Sequence, residues 1–289
     1  MSHRAAKALL LGFLLCFPGT SSPGPPPPPP RWYPLDPGNR WVYENQGAGI
    51  QAGLEIIVTG AVGDVVRVVF QQPGDEPGPP LLAFEKFLAE RSDRIEIRLP
   101  DEDQLQTHYV FSSSGWVHRD TESCDDRRTA TIVSESAVVE TPAGTFEGAL
   151  EMTFGPSPCA DGGTAAEFFV KDVGLVKSTF QSFLGERSWV LRRFETLPLY
   201  RRGDTNADGQ VNLSDAVFLL AWLFTGGEEP SCIQTGDAND DDVVDISDAL
   251  GILNYLFSGT QAPPEPFQSC GVDRYAGLLP CRTHEPCRG

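Results

Sequence analysis

The stretch "GDTNADGQVNLSD" (residues 203–215) and its near copy "GDANDDDVVDISD" (residues 236–248) put an oxygen-bearing side chain at nearly every second residue. Aligned over residues 203–226 and 236–259, the copies are identical at twelve of twenty-four positions, which marks an internal duplication. With Asp204 as position 1 of a twelve-residue loop, Asn206 falls at position 3, Asp208 at 5, Gln210 at 7, Asn212 at 9 and Asp215 at 12. The second copy supplies Asp237, Asn239, Asp241, Val243, Asp245 and Asp248 at the same places. That is the spacing with which a loop wraps Ca²⁺ in hard oxygen ligands. Position 7 gives its backbone carbonyl, and position 9 often acts through a water. The sequence therefore predicts two bound calcium ions.

Both loops depart from the standard EF-hand. Position 12 is Asp rather than Glu, a shorter arm that needs closer backbone approach. Position 6 of the second loop is Asp242 where the first has Gly209. A left-handed backbone there costs Asp about 1 kcal/mol. Val211 and Val244, at position 8, are expected to pair the loops or pack beneath them. After the loops come "SDAVFLLAWLF" (214–224) and "SDALGILNYLF" (247–257), each opening on Ser-Asp and followed shortly by Gly. These read as capped apolar helices. The sequence places no helix before either loop, so each unit is half an EF-hand, and the two helices must bury their apolar faces on one another.

Around this module the chain organises itself simply. Residues 1–21 carry Arg4 and Lys7, an apolar run over 8–17 and then small residues, the layout of a secretory signal peptide. The apolar run is too short to span a bilayer. Leu15 before Cys16, where a lipid-anchored cysteine would follow a small residue, predicts a released chain. Residues 22–30 form a proline-rich, extended spacer. Residues 31–200 alternate apolar and polar residues in short runs such as "GLEIIVTG", "DRIEIRLP" and "GALEMTF", which predicts an antiparallel β domain. Within it, "LLAFEKFLAE" (81–90) has a pattern that fits a helix or an edge strand. Residues 203–271 are the calcium module, and 272–289 a cysteine-containing tail. The expected fold is multidomain: an all-β sheet or half-barrel followed by a small all-α calcium-loop domain.

Beyond the signal peptide six cysteines remain: Cys124, Cys159, Cys232, Cys270, Cys281 and Cys287. An even number in an exported chain predicts disulfides. Proximity within domains suggests Cys124–Cys159, Cys232–Cys270 and Cys281–Cys287. The absence of a CxxC pair and the scatter of four histidines argue against zinc. With 22 basic and 40 acidic residues, the net charge of −18 excludes nucleic acid as a partner. Residues 203–260 hold eleven Asp and Glu and no Lys or Arg, so positive charge must come to this segment from elsewhere.

The duplicated loop–helix with Asp at position 12 resembles a type I dockerin over residues 203–271. The resemblance implies docking onto a cohesin-like or other surface protein through positions 10 and 11, here Leu213, Ser214, Ile246 and Ser247. Ala221, Trp222, Asn254 and Tyr255 stand at the later contact sites. An apolar position 10 and the lack of basic residues separate it from cellulosomal dockerins. It is similar instead to dockerin-like tails of non-cellulosomal marine bacteria that end in cysteine-rich segments. Residues 31–45, 138–154 and 168–181 resemble a family of uncharacterised secreted bacterial β proteins. The shared motifs are those of turns and strands: "PLDPGNRWVYEN", "TPAGTF" and "DVGLVK".

For catalysis the sequence offers no GxSxG, HExxH, SxxK or Gly-rich phosphate loop. His108 and His118 alternate with apolar neighbours, the pattern of exposed strand positions, and Asp101, Glu102 and Asp103 bunch in a turn. The expected function is a secreted, non-catalytic protein with a calcium-dependent docking module, retained at the cell surface or in the periplasm, or released. The alternatives are a polysaccharide-degrading glycoside hydrolase or carbohydrate-binding accessory, and an envelope lipid or lipoprotein carrier.

Overall fold

The structure, a computed structural model, describes residues 30–47, 53–72, 82–122, 124–159, 162–183, 185–273 and 279–288. The expected signal peptide and the spacer up to residue 29 lie outside the described residues. Twelve strands follow one another within them. The first six are β1 (Asn39–Gly47), β2 (Leu54–Val62), β3 (Val65–Gln72), β4 (Leu82–Glu90), β5 (Arg94–Arg98) and β6 (Gln106–Val110). The next six are β7 (Trp116–His118), β8 (Arg128–Thr141), β9 (Gly144–Phe154), β10 (Gly163–Val170), β11 (Gly174–Ser182) and β12 (Gly185–Thr196). Two helices, α1 (Leu213–Thr225) and α2 (Ile246–Ser258), come late in the chain.

All twelve strands belong to one sheet in the order β6-β5-β4-β3-β2-β1-β12-β11-β10-β9-β8-β7, each paired antiparallel to its neighbours. Its two end strands approach each other: the Arg119 amide, just past β7, donates to the Thr107 carbonyl of β6 at 3.0 Å. The sheet is thus nearly closed. Period-two alternation turns Trp41 and Tyr43 of β1, Ile95 and Ile97 of β5 and Phe169 of β10 inward. They join Ile56, Val58, Leu88, Leu150, Met152, Val176 and Leu191 in one core. Each such side chain contributes about 1.5–3 kcal/mol on burial.

The turn and strand motifs of the β domain meet in this core. Trp41 donates its indole N–H to the Val173 carbonyl at 2.6 Å, and the Tyr43 hydroxyl donates to Leu175 O at 2.8 Å. Gly174 between them has φ +96°, and a Cβ there would lie 3.1 Å from Tyr33 and 3.2 Å from the Trp41 nitrogen. The expected "TPAGTF" turn joins β8 to β9, with Gly144 at φ +137°.

Two expectations are corrected. Residues 82–90 form neither a helix nor an edge strand: β4 lies between β3 and β5, and its Lys86 and Leu88 both face inward. Alternating inward residues along a strand outweigh the helical spacing of its apolar residues. The disulfides are Cys124–Cys159, as expected, but also Cys232–Cys281 and Cys270–Cys287, in place of Cys232–Cys270 and Cys281–Cys287. The tail turns back along the segment before the second loop. Ile233 N donates to Pro280 O at 2.9 Å and Arg282 N to Ser231 O at 3.3 Å, which sets Cys232 opposite Cys281.

The helical part has its own small core of Ala216, Leu219, Ala238, Ala249 and Ile252. Ala216 and Ala249, and Leu219 and Ile252, are equivalent residues of the two copies. Val211 and Val244 pack against this core beneath their loops. Beside the sheet, Tyr200 and Gly271 exchange backbone hydrogen bonds, and Val272 N donates to Thr59 O of β2 at 3.0 Å. Among the described residues no helix is long and apolar enough to cross a membrane.

Candidate functional site

The two acidic loops adopt the same backbone. Positions 4 and 6 are left-handed in each: Ala207 (φ +56°) and Gly209 (+85°) in the first, Asp240 (+66°) and Asp242 (+63°) in the second. Position 1 organises the turn. Asp204 accepts the amides of Asp208 at 3.1 Å and Gly209 at 2.9 Å, and Asp237 accepts those of Asp241 at 3.1 Å and Asp242 at 3.2 Å. Asp242 therefore takes the glycine conformation, as Asp can.

Position 12 closes each loop from the first turn of the following helix. Asp215 accepts from Asn206 N and Asn212 N, and Asp248 from Ala238 N, Asn239 N and Asp245 N. Helix capping comes from position 9 and not from the Ser-Asp pair alone. Asn212 and Asp245 are the N-caps, each in a reciprocal capping box with Asp215 or Asp248, and Gly226 and Gly259 end the helices in left-handed geometry. A short 3₁₀ turn, Ile233–Gly236, precedes the second loop.

These carboxylates are deeply placed: Asp204, Asp215 and Asp248 are fully buried and Asp237 nearly so. Burial pushes Asp215 and Asp237 above the ordinary carboxylate range and Asp248 up to about 6. Oxygen donors of this type and spacing fit Ca²⁺. It would be held by Asp204, Asn206, Asp208, Gln210, Asn212 and Asp215 in one loop, and by Asp237, Asn239, Asp241, Val243, Asp245 and Asp248 in the other.

Side chains from the flanks reach the acidic loops. Arg201 donates to Gly209 O in the first loop at 2.9 Å. Arg202, fully buried, reaches Asp237 and Asp240 in the second. From the tail, His284 brings Nε2 within 3.1 Å of Asp204, without the alignment of a hydrogen bond.

Of the eight predicted contact residues, Leu213, Ser214, Ile246, Ser247 and Asn254 lie on the surface, with Leu213 and Ile246 each 50% exposed. Ala221 and Trp222 are half-buried, and Trp222 packs on the helix core. Tyr255 turns against Phe267 with ring centroids 5.0 Å apart. Val217, Leu250, Phe224 and Phe257 are also exposed, and they form two matched pairs on equivalent helix positions. Sequence reading missed them, although Val217 and Leu250 stand four residues after position 10, one helical turn along the same face.

A second polar cluster lies in the β domain, where sequence reading expected nothing. His108 and His118 are buried, not exposed, because the two end strands meet there: their rings stack with centroids 4.7 Å apart. Each Nδ1 donates to a backbone carbonyl, His108 to Arg119 O and His118 to His108 O. Lys86 Nζ lies 2.7 Å and His118 Nε2 3.5 Å from Asp120 Oδ2. Burial opposes the Asp120 charge, yet Lys86, His118 and His108 together hold its pKa well below the usual range. Burial drives His108 far below the usual imidazole value and Glu167 nearby up to about 7.

The ligand atoms of His108, His118 and Asp120 lie within 4.8 Å of one another. Lys86 already supplies the cation at Asp120, and His108 turns toward that carboxylate, at 3.8 Å, the nitrogen that Arg119 O engages. The cluster is a self-neutralised network that clasps the sheet ends. In the acidic turn, Glu102 pairs with Arg119 at 2.6 Å.

No protein-family model matches this chain, and the comparison with curated proteins gave no match. Among solved structures, the crystal structure of a DUF1329 family protein from Desulfovibrio piger is similar to it at 8% identity, over 56% of this chain and 87% of that one. The TM-score is 0.22, too low to carry an argument about fold or function.

Proposed function

We propose that this is a secreted, non-catalytic protein whose β domain is delivered or anchored by a two-calcium, dockerin-like docking module at residues 203–271. The observation that carries the reading is the repetition of one loop geometry: left-handed positions 4 and 6, a position-1 carboxylate accepting two loop amides, and a buried position-12 aspartate capping into the helix. The exposed pairs Leu213 and Ile246, Val217 and Leu250, and Phe224 and Phe257 supply an apolar docking face on the helices. The partner is a cohesin-like or other surface protein. Three disulfides suit the oxidising, extracytoplasmic setting in which calcium is plentiful.

Calcium binding and folding are linked. At micromolar affinity and millimolar external calcium, each site stabilises the module by about 4 kcal/mol. With a small core of Ala216, Leu219, Ala238, Ala249 and Ile252, that contribution is a large share of the module's stability. Calorimetric titration of the full chain with CaCl₂, with circular dichroism before and after chelation, tests the reading. Two ions per chain, and partial helix loss with a lowered melting point on chelation, are expected, followed by calcium-dependent capture on an immobilised cohesin domain. A flat titration with an unchanged spectrum would reduce the acidic loops to ordinary turns.

A further inference from the structure

We propose that Arg202 is a positioning residue that latches the second calcium loop to the β-sheet, so that occupancy of this loop fixes the module against the sheet. The inference rests on the calcium reading of the loops and adds a mechanical link to it.

Arg202 follows directly from the segment that leaves the sheet, and its side chain is completely buried. Its Nη1 donates to the carbonyl of Asp237, the position-1 residue of the second loop, and lies 3.7 Å from Asp237 Oδ2. Its Nη2 donates to Asp240 Oδ1 at 2.6 Å and to Asp273 Oδ2 at 2.9 Å, with the Tyr200 hydroxyl 3.3 Å away. One guanidinium thus bridges two loop residues on one side and Asp273 on the other. Asp273 follows Val272, whose amide donates to Thr59 O of β2, and Gly271, which pairs with Tyr200. The route from loop to sheet is three residues long.

The duplication itself argues for the link. Position 4 is no calcium ligand, and in the first loop it is Ala207. The second copy carries a carboxylate there, Asp240, and that carboxylate meets Arg202. Among the described residues, Arg201 reaches the first loop at the Gly209 carbonyl and otherwise donates to Phe267 O, which lies within the module.

Electrostatics sets the direction. Positions 1, 4, 5, 6, 9 and 12 of the second loop are all aspartates. Without a divalent cation their repulsion favours opening, which draws the Asp237 carbonyl and Asp240 away from Arg202. A buried guanidinium that loses partners is strongly unfavourable, so opening is shared with the Asp273 side and loosens the seam. With calcium bound the loop holds its shape and the arginine keeps both sets of partners. By linkage, calcium tightens the seam and the seam tightens calcium.

The test is hydrogen exchange of the full chain with and without calcium, read on peptides containing the amides of Tyr200, Gly271 and Val272. In the wild type, calcium should slow these amides about tenfold, a size usual for coupled equilibria. Arg202→Gln should still bind two ions by calorimetry but lose this slowing, with α1 protected as in the wild type. Asp273→Asn cuts the latch on the sheet side without touching either loop, and should lose the slowing even if Arg202→Gln fails to fold. Full slowing retained in Asp273→Asn, or in a folded Arg202→Gln, overturns the latch while leaving calcium binding intact. A wild type that binds no calcium overturns both readings together.

Discussion

Replacing Gly271 with alanine perturbs the seam between sheet and helical module at its tightest point. A Cβ on Gly271 would lie 2.5 Å from the Thr59 carbonyl oxygen and 3.2 Å from the ring of Pro266. The oxygen belongs to the backbone of β2, deep in the sheet order, so residue 271 has to yield. Its retreat stretches the Tyr200 N to Gly271 O bond (2.9 Å), the reverse bond (3.1 Å) and the Val272 N to Thr59 O bond (3.0 Å). At about 1 kcal/mol net apiece, the expected loss is about 3 kcal/mol. For a chain of this size that corresponds to a fall in midpoint of roughly 6–12 °C. A melt followed by circular dichroism in calcium would read it, with exchange at the Val272 amide as a local check. A Gly271→Ala variant that melts with the wild type and keeps the Val272 amide protected would refute the packing argument.

Other outcomes are equally definite. Gly251 lies within α2 with nothing within 4 Å of a Cβ, so Gly251→Ala should stabilise the module by up to about 1 kcal/mol in chemical denaturation. Lys86→Met strands the buried Asp120 carboxylate and should cost about 3–5 kcal/mol by the same measure, and restoring wild-type stability with Asp120→Asn would identify the pair as the cause. In the calcium-free protein Asp248 has its pKa raised from the usual carboxylate value to about 6, so the folded module holds more protons than the unfolded chain between about pH 4 and 6. Chelated protein should therefore lose stability as pH rises through 6. Calcium-loaded protein should gain it, since the metal requires the carboxylate. Melting both forms at pH 5 and 7.5 checks the opposite signs.

What the sequence disclosed and what it withheld divide along the range of the interactions. The turns and helix N-caps of the loops were legible because the residues that form them lie within thirteen positions of one another in each copy. The strands were legible from alternation, with β4 ambiguous because "LLAFEKFLAE" satisfies two periodicities and only its neighbours β3 and β5 decide between them. The histidine cluster was hidden because His108 and His118 belong to opposite ends of the sheet order, and only closure of that sheet makes them neighbours. The tail disulfides were hidden for the same reason: Cys281 reaches Cys232 through a chain reversal that no local pattern announces. Arg202 was half visible. An acidic run without a cation pointed to an outside charge, but not to the residue two places before the loops.

The pairing of the tail cysteines has a mechanical side. The bonds Cys232–Cys281 and Cys270–Cys287 interleave along the chain, so the second loop and α2 sit inside a covalently closed ring, whereas the first loop and α1 stand between the sheet and Cys232, outside any ring. A load applied between the β-sheet and the tail cannot lengthen the chain through α2; it passes through the bond at Cys232 instead. The two copies, alike in fold, are therefore unequal springs: the first can pay out its residues under tension, and the second keeps its shape.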